Sequence, residues 1–232
     1  MFKLALSIDF TNVTKYCMNQ ALLDKSEIVF IKIDFSVDRS IEEYLLLLNI
    51  AKQKEIVTLF VLRNSSKARV QDLKKLKNET YFQVKSDAIY EELKEEILGI
   101  VAAKGENDIN LDIADLKTVL VYKGLAFFGN AEDATKDAIH IAIENAINNA
   151  DIKDYSLNDM QAILIHFTIH PDYEIMKIAQ AMELIYEYTH YDTDIIWGTT
   201  TDASLSYEYV KAVVVLTGCE SQYSKQKIAN NL

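Results

Sequence analysis

A chain of 232 residues, half of them hydrophobic and a quarter charged, is long enough to bury a core and balanced like a soluble globular protein. Its formal charge of -11 repels nucleic acid and anionic membrane surfaces, which excludes broad binding to either. Two cysteines, Cys17 and Cys219, make neither a disulfide framework nor a metal cluster and fit a reducing compartment. The opening MFKLALSIDF lacks the basic flank and apolar core of a signal peptide, and no apolar run approaches the ~20 residues that span a bilayer. The expectation is a cytoplasmic protein without direct membrane binding.

No glycine precedes Gly99, and the one proline is Pro171. Phosphate-cradling loops bring backbone N–H groups against the ligand, usually through glycines at positive φ. Neither a Walker-type loop nor a G-x-G-x-x-G turn exists before Gly99.

In chain order, residues 3–8 form a short apolar run of β character. Residues 11–24 read as a helix with Val13, Cys17, Ala21 and Leu22 inward. The alternating EIVFIKI of 27–33 is a strand. Ser40 and Glu43 then make an S-x-x-E capping box before the helical IEEYLLLLNIAKQK. The nearly all-apolar IVTLFVL of 56–62 suits a strand buried on both faces. Alternation of strands and helices predicts a parallel sheet with right-handed crossovers. Arg63, Lys67, Arg69, Lys74, Lys75 and Lys77 read as a solvated helix face, with a contact patch for an acidic partner as the sharper alternative. Residues 81–84 form a further short strand. Ser86 caps a long helix with Ile89, Leu93, Ile97, Ile100 and Val101 on one face and Glu91, Glu92, Glu95 and Glu96 turned away.

Asn110, Asp112 and Asp115 then form an N-x-D-x-x-D array. Ile113, Leu116, Val119 and Leu120 give a short helix stopped at Gly124. Residues 125–128 read as a strand. Asn130 and Asp133 start a helix running to about 148, with Ala134, Ala138, Ile141, Ala142 and Asn145 at helical spacing. A strand over 160–169 is followed by a Pro171–Asp172 turn and a helix with Ile175, Ile178, Ala179, Met182 and Ile185 inward. Residues 193–197 and 210–217 are the last strands, joined by a segment that turns at Gly198 and Asp202. The polar tail from 221 frays.

Three of these segments, NLDIADLKTVLVYKGLAFFG, LNDMQAILIHFTIHPDYEIMKIAQAMELI and DIIWGTTTDASLSYEYVKAVVVLTG, resemble the FtsZ/tubulin family. They are similar, in order, to its acidic loop with the following helix and strand, to the strand–turn–helix of its C-terminal domain, and to its closing hairpin. The resemblance implies a shortened FtsZ-like α/β fold. Residues 1–85 would be a reduced Rossmann-like unit, 86–106 the central helix, 107–220 the C-terminal α+β sheet domain and 221–232 the tail. The family binds GTP through a glycine-rich G-G-G-T-G-T-G type run, which has no counterpart here. Asp87, Glu91 and Glu92 lie near the place of its guanine-reading acid. The tail does not match the family's peptide for membrane tethers.

In the family the acidic loop helps hydrolyse nucleotide held by the next subunit, by orienting water for a reaction that is mostly positioning and electrostatics. Asp112 and Asp115, three apart at a helix start, lie on one side with Asn110 just outside. The competing explanation is capping, which stabilises a helix start by ~1 kcal/mol without catalysis. Such filaments are head-to-tail, and this chain keeps the acidic face while lacking the nucleotide face. The resemblance therefore implies a non-enzymatic protein of bacterial cell division, without cofactor, that binds an FtsZ-type partner or filament end and modulates assembly. The alternatives are a self-associating scaffold and a GTPase with unconventional loops, GTP being the runner-up cofactor.

No metal site is expected. His166 and His170 on one strand stand ~13 Å apart at ~3.3 Å per residue, too far to share an ion. His140 has no partner at ligand spacing, and His190 packs among Tyr186, Tyr188 and Tyr191 at a helix end. Cys17 and Trp197 read as core.

Overall fold

The computed structural model describes residues 5–9, 11–24, 26–37, 41–102, 105, 108–152 and 155–219, apart from the side chains of Met18, Gln20, Leu22 and Val70. The Ser40 cap, the start of the first strand and the tail from 221 lie outside the described residues. The chain divides into two compact units, Met1–Leu98 and Gly99–Leu232.

The first unit alternates β1 (Leu6–Ile8), α1 (Val13–Met18), β2 (Ile28–Asp34), α2 (Glu42–Gln53), β3 (Val57–Arg63), α3 (Val70–Leu76) and β4 (Thr80–Val84), and α4 (Asp87–Ala102) runs across the boundary. Its strands pair in parallel in the order β1-β2-β3-β4, as the alternation predicts. Every crossover steps the same way, so right-handed connections place their helices on one face. That face is a single cluster: Val29, Ile31, Ile33, Phe60 and Leu62 bury against Val13 of α1, Leu47, Leu48 and Ala51 of α2, and Leu76 of α3. The opposite face, with Phe30, Leu59, Val61 and Phe82, is buried as well. Burial on both sides explains the continuous apolar runs in β2 and β3.

Two expectations need correction here. The helix over 11–24 breaks at Asn19 into α1 and a 3-10 turn over Gln20–Leu23. Ala21 is exposed and Leu23 is buried in its place, because the tighter turn rotates the inward face. In α4 the inward position near the start is taken by Tyr90 rather than Ile89, while Leu93, Ile97, Ile100 and Val101 are buried as read.

The second unit contains α5 (Ile113–Leu120), β5 (Gly124–Asp133), α6 (Ala138–Asn149), β6 (Ala162–Ile169), α7 (Ile175–Tyr188), β7 (Asp194–Thr201) and β8 (Val210–Cys219). Its strands run in the order β5-β8-β6-β7, with β8 antiparallel to β5 and β6, and β7 parallel to β6. One face packs on α6 and α7, where Ile163, Ile165 and Phe167 of β6 and Val214 and Leu216 of β8 meet Ala142, Ile143, Met182 and Ile185. The other face carries Leu164, His166, Val213 and Val215, all buried, and α5 lies against its strands. Gly129 lets α6 approach β5 closely: a Cβ there would stand 2.1 Å from the Ala146 carbonyl oxygen.

Asn130 and Asp133 do not start a helix. They continue β5, whose ladder with β8 extends to Asp133 opposite Val210. Ladder hydrogen bonds outweigh the local helix signal, and Asp133 instead accepts the Thr135 N–H and hydroxyl in the turn that follows. The buried stripe of α6 is Ala138, Ile139, Ala142, Ile143 and Ala146, leaving Asn145 exposed and Ala134 outside the helix. In α7 Ala181 is buried and Ile175, at 51 % exposure, is not. Gly198 sits inside β7 rather than at a turn. The last two strands are not a hairpin, since β6 lies between them. Tyr186, Tyr188 and Tyr191 are exposed, and the Tyr191 ring lies against His190 with centroids 4.3 Å apart.

Candidate functional site

Asp112 is the N-cap of α5, in extended backbone. Its Oδ1 accepts the Ala114 N–H at 2.6 Å and the Asp115 N–H at 3.1 Å, and Asp115 Oδ2 accepts the Asp112 N–H at 2.8 Å. This is a complete reciprocal capping box, so the helix start is satisfied by the two residues that the motif singles out. One oxygen of each carboxylate makes the cap, and a carboxylate has acceptor capacity on both. Asn110 and Asp112 are exposed and Asp115 is half-buried, while Leu111 between them is buried. The fold thus gathers the three polar residues at one helix start, with Leu111 as the pin beneath them.

The loop leading into the cap lies along β7. Ile109 N–H donates to Thr199 Oγ1 at 2.9 Å, and the Thr199 N–H returns a bond to the Ile109 carbonyl at 3.0 Å. Asp108 Oδ1 accepts the Thr201 N–H at 2.7 Å and its hydroxyl at 2.9 Å, and Oδ2 accepts the Gly105 N–H at 2.7 Å. Gly198 makes room: a Cβ there would stand 2.5 Å from both the Ile109 carbonyl oxygen and Leu111 Cγ. At the far end of α5, the buried Thr217 hydroxyl donates to the Val119 carbonyl at 2.7 Å, and Tyr122 hydrogen-bonds Asp194. The helix carrying the acids is held at both ends.

Behind the loop, His166 of β6 is 5 % exposed, with Nε2 3.0 Å from Thr200 Oγ1. Burial pushes its imidazole down to about 4, Asp108 pulls the other way, and Lys211 adds to the fall. His166 is a neutral core residue at neutral pH. His170 lies past the end of β6 and His140 is exposed on α6; among the described residues no three His, Cys, Asp or Glu side chains gather as metal ligands do.

In the first unit, acids and bases at the carboxyl ends of the strands pair with each other. Asp87 bridges Lys32 Nζ at 3.3 Å and Arg63 Nη1 at 2.6 Å. Asp34 accepts from Asn64 Nδ2 at 2.7 Å and from the Ser36 N–H at 2.8 Å. Burial raises the Asp34 carboxyl, but these hydrogen bonds and the nearby Arg63 outweigh it and hold the group below its ordinary range. Glu91 pairs with Lys94, and Glu92 is exposed. The six basic residues are not one helix face: Arg63 ends β3, Lys67 is on a 3-10 turn, and within α3 and its cap Lys75 pairs with Glu42 and Arg69 with Asp72.

Asp108, Thr199 and Thr201 escape a reading of the sequence, and Gly198 reads there only as a turn. Their only linear trace is the N-D-I-N run and the G-T-T-T run, about ninety residues apart, and only the fold makes them neighbours.

The profile of the FtsZ family, C-terminal domain, matches residues 124–220. The cell division protein FtsZ of Helicobacter pylori is 34% identical over 113 residues, 49% of this chain and 29% of that protein. FtsZ 2 of Pyrococcus furiosus is 33% identical over 128 residues, 55% of this chain and 31% of that protein. Residues 124–220 are thus similar to the FtsZ family's C-terminal domain, and the sequence likeness to FtsZ covers about half of this chain. Its FtsZ-like fold extends beyond the profile: an empty FtsZ dimer of M. jannaschii superposes with a TM-score of 0.65 over 89% of this chain and 68% of that one, at 20% identity. CetZ of Methanosaeta thermophila gives 0.62 over 95% of this chain and 72% of that one, at 15% identity. The matched segment spans less than a third of the curated FtsZ relatives. Among the described residues, no helix is long and apolar enough to cross a membrane.

Proposed function

We propose that this FtsZ-like chain binds an FtsZ-type partner, or the end of its filament, through the acidic loop, and modulates assembly in cell division without a nucleotide of its own. One observation carries the reading: Asn110, Asp112 and Asp115 are gathered at the start of a helix held at both ends, while the described residues of the first unit offer no comparable nucleotide cradle. Dinucleotide and mononucleotide sites in open α/β sheets form where the strand order reverses. The order β1-β2-β3-β4 has no reversal, no glycine precedes Gly99, and Lys32 and Arg63 are already paired with Asp87, and Arg63 also with Asp34. A subunit with one competent face joins a head-to-tail polymer end and blocks the next addition.

Mixing the protein with polymerising, GTP-loaded FtsZ tests this. The expected result is shorter filaments and altered GTP turnover; unchanged length and turnover at excess protein overturn the reading. Calorimetry with GTP and magnesium tests the nucleotide-free part, where tight binding counts against it. A second reading, self-association, is favoured by the dimeric state of the M. jannaschii FtsZ that shares this fold. Light scattering on the isolated protein separates the two, since a filament-end binder remains monomeric alone.

A further inference from the structure

We propose that Asp108 is the positioning residue of the acidic loop: its carboxylate clamps residues 108–111 onto β7 and so fixes where Asn110, Asp112 and Asp115 stand. The role in partner binding rests on the function proposed above; the clamp itself does not.

Asp108 is neither part of the N-x-D-x-x-D array nor of the cap. Both of its oxygens are engaged, Oδ1 by the Thr201 N–H and hydroxyl and Oδ2 by the Gly105 N–H. Bonds from neutral donors to a carboxylate are shorter and stronger than neutral pairs, and these three, at 2.7–2.9 Å, are of that kind. The two from Thr201 join the chain just before the array to the last residue of β7, and the third ties Gly105 to Asp108 within the same segment. One residue on, the reciprocal pair between Ile109 and Thr199 extends the contact as a short antiparallel-like bridge, and Gly198 leaves the space in which Ile109 and Leu111 lie flat. The cap of α5 fixes the acids to the helix, and the Asp108 clamp fixes their approach to the sheet. Without it the segment keeps the reciprocal Ile109–Thr199 pair and the buried Leu111 side chain, and a loop tied by so few contacts opens more often than the core around it.

Asp108→Ala and Asp108→Asn separate positioning from simple loss of a contact. The Thr201 amide donates to Asp108 itself, so its exchange rises trivially in the alanine variant. The Ile109 and Thr199 amides donate to each other's residue and not to Asp108, so they report whether the loop leaves β7. In Asp108→Ala their hydrogen exchange is expected to rise at least ~10-fold while the β8 amides keep wild-type protection. Asp108→Asn retains an oxygen for the two Thr201 bonds and is expected within ~3-fold of wild type. In the filament assay Asp108→Ala is expected to lose most of the wild-type effect and Asp108→Asn to keep it. The proposal is overturned if the Ile109 and Thr199 amides of Asp108→Ala exchange as in wild type, if Asp108→Asn is as loose as Asp108→Ala, or if a loosened Asp108→Ala still acts on filaments like wild type. If wild type itself does not act on FtsZ, the function reading fails, and the exchange measurement alone decides the role of Asp108.

Discussion

His166 offers a measurable link between burial and pH. It is held neutral beneath the acidic loop, its imidazole pushed down from 6.5 to about 4 by burial. The unfolded chain takes up a proton at this residue as pH falls through about 6.5, whereas the folded chain refuses it until about 4. Stability from this group is therefore complete above the unfolded value and lost as pH falls toward the folded one. At about 1.4 kcal/mol per pH unit the gap between 6.5 and about 4 makes the full loss about 3 kcal/mol, with about 2 kcal/mol gone by pH 5. Between pH 7.5 and 5 most carboxylates stay ionised, so histidines dominate the change. Glutamine at this position places an amide nitrogen or oxygen near the site of Nε2, keeps a hydrogen bond within reach of Thr200, and does not titrate. Urea unfolding followed by the fluorescence of Trp197, the single tryptophan and a β7 residue, reads out the second unit. Wild type is expected to lose about 2 kcal/mol more than His166→Gln over that range. Parallel profiles, or an imidazole that titrates above 6 by NMR in the folded protein, refute the reasoning.

Two further perturbations test the packing and the cap. Gly129→Ala forces a methyl to within 2.1 Å of the Ala146 carbonyl and 2.5 Å of the Ala150 nitrogen, both backbone atoms that cannot swing away. We expect about 3 kcal/mol of destabilisation by urea unfolding, from separation of α6 and β5. Asp112→Ala is expected to cost about 1 kcal/mol through loss of the α5 cap, whereas Asp112→Asn keeps the cap and leaves the thermal midpoint nearly unchanged. Comparing these two in the filament assay isolates the interface role: loss of effect in the stable asparagine variant shows that the charge matters to a partner, and full effect in it shows capping alone.

Strands and helices were legible wherever a run of side chains had one dominant environment. The apolar IVTLFVL run declared β3, and the D-x-x-D pattern declared a helix start that is realised atom for atom at α5. Errors arose where the partner was distant in sequence. Asn130 and Asp133 carry good local helix-start chemistry, yet β8, some eighty residues on, claims them as strand. Ile175 fits the apolar period of α7 but falls in its first turn, whose start is exposed. The hairpin expected of the last two strands fails for a topological reason: β6 already occupies the place beside β7, and β8 is buried along nearly its whole length because it lies between two neighbours.

The same contrast explains the candidate site. Its acids are a local motif and could be read from spacing, because a capping box is closed within four residues. Its anchoring is nonlocal, because Asp108 meets Thr201 across ninety-three positions. A short loop of acids is not recognition surface unless its geometry survives the approach of a partner, since ordering it on binding costs about 0.5–1.5 kcal/mol for each side chain immobilised. The cap, the Asp108 clamp and the Thr217 bond to α5 carry that ordering in the folded chain before any partner arrives. Among the described residues at the carboxyl ends of β1–β4, Lys32, Arg63, Asp34 and Asp87 are instead turned on each other, and a phosphate would have to displace carboxylates to enter. The partner proposed above thus meets acids that the cap and the Asp108 clamp already hold in place.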